Sequence, residues 1–163
     1  MDNSGPVEVE DRGGVFPKDG LFTTATFVHF RACYANGVEL ICKTNNKHGA
    51  GVRFVGTEGW AEYGYGKFGV YPRSLLNLKL KPNDIHLYRS KNHFRNFIDC
   101  IKTRQEPAAP VEVGHRSSTV CHLGNIAMKL HRKLQWDPVR EQFINDEQAN
   151  RMLCKPLRGG WHL

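Results

Sequence analysis

Short runs in which apolar and polar residues alternate crowd the first half of the chain, and runs with helical spacing follow in the second. Val7-Glu8-Val9-Glu10 alternates with period two and predicts a short exposed strand before the turns at Gly13-Gly14 and Pro17-Lys18-Asp19-Gly20. Residues 24–34 and 38–44 are rich in β-branched and aromatic types and are joined by Asn36-Gly37, which predicts an antiparallel hairpin with a two-residue type I′ loop. That register sets Ala35 opposite Val38, Cys33 opposite Leu40 and Arg31 opposite Cys42, with Tyr34/Glu39, Ala32/Ile41 and Phe30/Lys43 on the other side. Both faces are then mixed. Helices on one side with a partner on the other would satisfy such a pattern, and so would a long covering loop.

A second strand pair is expected at Val52-Arg53-Phe54-Val55 and Trp60-Ala61-Glu62-Tyr63, around a turn at Gly56-Thr57-Glu58-Gly59. Residues 64–84 place Gly, Pro and Asn at short intervals and predict a long surface loop with one strand near 75–80. A helix capped by Ser90 is expected to carry Phe94, Phe97, Ile98 and Ile101 on one face and to stop after Arg104 before Pro107. A longer one, starting near Arg116-Ser117-Ser118, would carry Val120, Leu123, Ala127, Leu130 and Leu134, with Lys129, Arg132 and Lys133 toward its C-terminus. A short strand at 141–144 and a small helix at 146–153 complete the order. Strands first and helices later predict an α+β fold: an open, mainly antiparallel β-sheet with helices packed on one face, and Phe94, Phe97, Ile101, Leu123 and Leu130 buried there.

A chain of 163 residues is long enough for one domain with a real core, and no stretch approaches the length of a membrane span. The five cysteines are scattered and form no C-x-x-C pair, which points away from zinc and disulfide frameworks and toward a reducing, cytoplasmic compartment. A formal net charge of +7 would suit nucleic acid, but the Lys and Arg residues form no dense block, so neither a nucleic-acid nor a membrane partner is expected.

Gly64-Tyr65-Gly66-Lys67-Phe68-Gly69 spells G-x-G-x-x-G, the dinucleotide fingerprint, yet Tyr71-Pro72 follows where a helix would have to begin. It reads as a glycine-rich loop. No metal-binding pattern joins the eight histidines, and no catalytic residue is assigned. Cys121 reads as a small residue near the core, and Trp60, Trp136 and Trp161 as packing anchors. His115 and Arg116 are the substrate-binding candidates, because a cation pair beside free backbone donors at a helix start favours an anionic or hydroxyl-rich ligand. Capping or carboxylate pairing is the structural alternative for both.

Three segments together resemble the C-terminal domain of the glucose-fructose oxidoreductase / inositol dehydrogenase (Gfo/Idh/MocA) family. They are Phe54-Val55-Gly56-Thr57-Glu58-Gly59-Trp60; the stretch from His93 to Ile101 with Arg104-Gln105-Glu106-Pro107; and Gly114-His115-Arg116-Ser117-Ser118 with Cys121-His122-Leu123-Gly124-Asn125-Ile126-Ala127, closed by Trp136-Asp137-Pro138 and Pro156-Leu157-Arg158. The set resembles a bacterial subgroup of that family.

The resemblance implies a parent enzyme whose separate N-terminal Rossmann domain holds NAD(P), with this domain, over residues 1–163, shaping the substrate pocket and forming a dimer. The substrate would be a sugar, polyol or glycoside, and a parent that cleaves glycosides through an NAD hydride cycle is the alternative, with a stand-alone basic binding module as the rival class. The chain has neither the family's Glu-Lys-Pro motif nor its histidine-bearing helix. Alone it is expected to bind no NAD(P) and to be inactive. The mixed face carrying Phe30, Ala32, Tyr34 and Ile41 is expected to make a homodimer, unless the nucleotide domain covers it.

Overall fold

The computed structural model describes residues 4–44, 50–64, 67–155 and 159. They form two units, one from residues 1–44 and 109–163 and one from residues 45–108. The strands are antiparallel throughout, so the chain is α+β with open sheets.

The first unit is built on a five-stranded sheet in the order β3-β2-β1-β7-β8: β1 (Glu8–Asp11), β2 (His29–Cys33), β3 (Glu39–Lys43), β7 (Lys133–Asp137) and the two-residue β8 (Gln142–Phe143). The N-terminal alternation makes the central strand, not an exposed one. Val9 turns inward and is fully buried, while Glu8 and Glu10 turn outward.

The β2–β3 register differs from the expected one by a single residue. Cys33 lies opposite Glu39, Ala32 opposite Leu40, Arg31 opposite Ile41 and Phe30 opposite Cys42. Tyr34 N–H donates to Val38 O and Gly37 N–H to Tyr34 O, so the loop holds three residues, Ala35, Asn36 and Gly37. Gly37 sits at φ +83, the left-handed position that closes a three-residue loop of this kind. A slip of one residue exchanges every side chain between faces, so the mixed faces disappear. Phe30, Ala32 and Tyr34 are buried on the inner side, and Arg31, Cys33, Glu39 and Ile41 occupy the outer one.

Helix α2 (Val111–Leu130) packs on the inner face with Val120, Leu123, Ile126, Ala127 and Met128. It begins several residues earlier than expected: Pro110 leads into it and Glu112 lies in its first turn, where a carboxylate suits the helix dipole. His131, left-handed at φ +50, ends it, so Leu134 belongs to β7, and Arg132 and Lys133 follow the helix. Gly124 lets α2 approach the sheet, since a Cβ there would stand 2.5 Å from the Phe30 ring. Trp136 and Phe143 meet edge to face at 5.0 Å, and the short α3 (Glu147–Asn150), capped by Asp146, completes the core with Ala149. Each buried Leu, Phe or Val contributes roughly 1.5–3 kcal/mol.

The outer face is a charge ladder. Arg31 reaches Glu8 and Glu10 at 3.3 Å and Glu39 at 3.1 Å; Lys133 reaches Glu8 at 3.0 Å, and Gln135 donates to Glu8 at 2.8 Å. Burial pushes the Glu8 carboxyl upward, but Lys133, Gln135 and Arg31 outweigh it and hold the group below its ordinary range.

The second unit contains a three-stranded sheet of β4 (Val52–Gly56), β5 (Gly59–Gly64) and β6 (Lys67–Tyr71), a 3-10 turn at Arg73–Asn77, and α1 (His93–Thr103). The β4–β5 hairpin stands where expected, with Thr57-Glu58 as its loop. β6 occupies what reads in sequence as loop, because glycines interrupt its alternation, and the segment expected as a strand near 75–80 holds the 3-10 turn instead. Asn92, not Ser90, caps α1, accepting from Arg95 N at 2.8 Å. Its apolar stripe is not buried: Phe94 is 81% exposed, Phe97 56% and Ile101 46%, so of the five residues expected in the core only Leu123 is fully enclosed. Spacing fixes which helix face is apolar, but not whether anything covers it.

Candidate functional site

His115 and Arg116 lie inside α2, past its first turn, so their backbone donors belong to the helix and are not the free ones that the later start would have offered. Their side chains converge on Glu141, 25 and 26 positions downstream in the turn between β7 and β8. His115 Nε2 stands 2.6 Å from Glu141 Oε1, and Arg116 Nη1 donates to the same oxygen at 3.0 Å. Arg116 also donates to Pro138 O at 3.1 Å and, through Nε, to Glu112 Oε1 at 2.8 Å.

The turn that presents Glu141 is fixed locally. Asp137 accepts from the backbone N–H groups of Arg140 and Val139 at 3.0 and 2.9 Å, and these donors hold its carboxyl below the ordinary range. Glu141 itself is left-handed at φ +53, a conformation that an ordinary L-residue adopts at some cost. Sequence reasoning missed Glu141; the Asp137-Pro138 turn was the available signal, but nothing in the sequence says which carboxylate the helix would meet.

Two carboxylates on one guanidinium change the chemistry. Arg116 is already neutralised by Glu112 and Glu141, so the cluster is poorly suited to a second anion. It offers carboxylate oxygens and a half-exposed imidazole, the groups that hydrogen-bond to neutral hydroxyls. An open cleft of about 520 Å³, lined among others by Asp137, Arg140, Gln142, Asn145 and Asn150, includes none of the cluster's own residues. Asn150 is committed there, exchanging two hydrogen bonds with the Phe143 backbone at 2.7 and 2.9 Å.

The remaining candidates are dispersed. Cys121 is exposed on α2, not near the core, because the buried stripe passes through Val120, Leu123 and Ala127. Trp136 is an anchor of the first unit, while Trp60 lies partly exposed under the Arg53 guanidinium at 4.7 Å. Trp161 and Pro156-Leu157-Arg158 fall outside the described residues. Among those described, no group of His, Cys, Asp and Glu could hold a metal ion, and no helix is long and apolar enough to cross a membrane.

Of the G-x-G-x-x-G segment, Tyr65 and Gly66 fall outside the described residues; Gly64 ends β5 opposite Lys67, and Lys67-Phe68-Gly69 belong to β6. The segment leads into another strand, so it supplies no helix N-terminus for a pyrophosphate. That segment therefore does not fit the pyrophosphate of NAD(P).

A family model described as an oxidoreductase family C-terminal alpha/beta domain matches residues 1–163. The chain belongs to the Gfo/Idh/MocA family. No curated protein and no solved structure matches it. The segments that carry the family resemblance occupy defined places: Phe54–Trp60 forms the tight β4–β5 turn, His93–Ile101 lies in α1, and Gly114–Ala127 lies within α2, which carries both the site residues and the core stripe. As a Gfo/Idh/MocA C-terminal domain, the chain is part of an oxidoreductase architecture.

Proposed function

We propose that the chain is the substrate-shaping and oligomerisation domain of an NAD(P)-dependent oxidoreductase, of the bacterial subgroup, acting on a sugar, polyol or glycoside. The family match along the whole chain carries this reading. The nucleotide is held by another domain of the parent enzyme, since the residues here do not form a pyrophosphate site. His115, Arg116 and Glu141 are the substrate contacts, and the paired carboxylates favour neutral hydroxyls over phosphates or uronates.

The test is a titration of the chain with inositol, glucose and glucuronate, followed by NMR. Neutral polyols are expected to shift the His115 ring signals and the amides of the β7–β8 turn, with glucuronate weaker by about tenfold. No response to any carbohydrate at these residues would contradict the assignment. In the same samples NAD(H) should bind no better than about millimolar.

A further inference from the structure

Between the 3-10 turn and α1, apolar and polar residues alternate in two short runs, Leu78-Lys79-Leu80-Lys81 and, past Pro82-Asn83-Asp84, Ile85-His86-Leu87-Tyr88-Arg89. The turn between the runs is held locally. The Asp84 carboxylate accepts from the Lys81 N–H at 2.6 Å, the Asp84 N–H donates to Lys81 O at 3.0 Å, and His86 Nε2 lies 3.0 Å from the same carbonyl oxygen. Tyr88 is tied down as well, since Asn96 of α1 donates to its hydroxyl at 2.8 Å. The side chains that alternate with these anchors are bare: Ile85 is 89% exposed and Leu87 90%. From Ile85 to Arg89, no backbone N–H or C=O has a hydrogen-bond partner among the described residues.

We propose that residues 85–89 are a docking edge for an acidic polypeptide segment, which adds alongside them as a strand. The proposal goes beyond the substrate and cofactor reading and does not depend on it. A row of unpaired backbone donors and acceptors is a template for another strand, and main-chain hydrogen bonds then supply the affinity while alternate side chains supply the specificity. The ties at His86 and Tyr88 hold the row in place before a partner arrives, which lowers the ordering cost of binding.

Charge selects the partner. Lys79, Lys81, Arg89 and Lys91 flank the row and form no ion pair among the described residues, and the single carboxylate between them, Asp84, is engaged by the Lys81 N–H. Residues 45–108 as a whole hold eleven Lys and Arg against five Asp and Glu, a net of +6, while the rest of the chain holds twelve against eleven. A second copy brings the same excess of positive charge and is repelled. A nucleic acid answers the charge but leaves Ile85 and Leu87 wet and the backbone row unpaired. A polypeptide with carboxylates and apolar residues in alternation answers all three: its backbone pairs with the row, its apolar side chains cover Ile85 and Leu87, and its carboxylates meet the four cations.

An NMR titration of the full chain with the end-capped peptide Glu-Val-Glu-Val-Glu-Val-Glu tests this, beside the same peptide N-methylated at alternate bonds, its Lys-for-Glu counterpart, and oligothymidylate. The acidic peptide is expected to bind with a Kd of about 100 μM at low salt, to weaken by about tenfold at high salt, and to slow amide exchange from Ile85 to Arg89. The N-methylated peptide should bind at least about tenfold more weakly, and the Lys peptide not at all. Leu87→Pro removes a donor that the fold leaves unused, so circular dichroism should stay unchanged while the peptide weakens by at least about tenfold. If Leu87→Pro disturbs the fold, the N-methylated peptide on the natural chain decides. Equal binding of the N-methylated and plain peptides, shifts that miss residues 85–89, or no binding up to about 5 mM overturns the proposal. So does oligothymidylate binding the row as tightly as the peptide, which makes it a polyanion site, or protection of the row that rises with protein concentration alone, which assigns it to a second copy.

Discussion

Val9, Phe30, Ala32 and Leu134 in the five-stranded sheet are at most 3% exposed, whereas Val52, Phe54, Tyr63 and Phe68 on one face of the three-stranded sheet are 48% exposed or more. Both sheets are antiparallel, and both alternate along their strands. The first has α2 on its apolar side and a ladder of opposite charges on the other, so each face is satisfied within the unit. The second presents its apolar side bare. Alternation marks which residues seek burial, and only the rest of the chain or a partner decides whether they find it.

The largest expected difference is in core truncation. Phe143→Ala should lower stability by about 3–5 kcal/mol, while Phe94→Ala on α1 should stay within about 0.5 kcal/mol, both read from urea midpoints at constant slope. Equal costs would mean that α1 is as well packed as the first unit. Gly124→Ala should destabilise by about 1–3 kcal/mol even though alanine favours helix by up to about 1 kcal/mol, because the new Cβ would press on the buried Phe30 ring.

Acid should act on the first unit next. Asp146 is held below its ordinary value by Arg132 and by the Ala149 N–H. At Asp11 burial pushes upward, but donation from Gly14, His131 and Gly13 outweighs it. Asp137 and Glu8 are lowered as well. Folded values below the unfolded ones of about 4 give stability that is fully present above that pH and is lost as the pH falls toward the depressed values. Melting temperatures should therefore fall steeply below about pH 4 and stay flat from there to neutrality. The smallest effect should come from Asn92→Ala, which removes the α1 cap and costs that helix about 1 kcal/mol, visible as reduced helical circular dichroism with little shift in the main transition.

Much of the architecture was legible, since strand pairs, helix order and the α+β class follow from periodicity and turn residues. What failed did so for identifiable reasons. Asn36-Gly37 announces a hairpin, but Gly37 alone in the left-handed region closes a three-residue loop, and that one residue inverted the faces and the dimer surface drawn from them. The start of α2 was missed because Ser117 and Ser118 look like caps while Pro110 and Glu112 lead the helix. For the site, His115 and Arg116 could be picked out as a polar pair at the head of a helix. Their partner Glu141 could not, because a contact across 26 residues depends on how β7 and β8 turn back onto α2.

Amide hydrogen exchange resolved by segment tests most directly the claim that one sheet is complete within its unit while the other leaves its apolar face bare. Amides of β1, β2, β7 and the C-terminal half of α2 should be strongly protected, while those of β4, β5 and β6 should exchange at least about tenfold faster. Equal protection of the two sheets would contradict it.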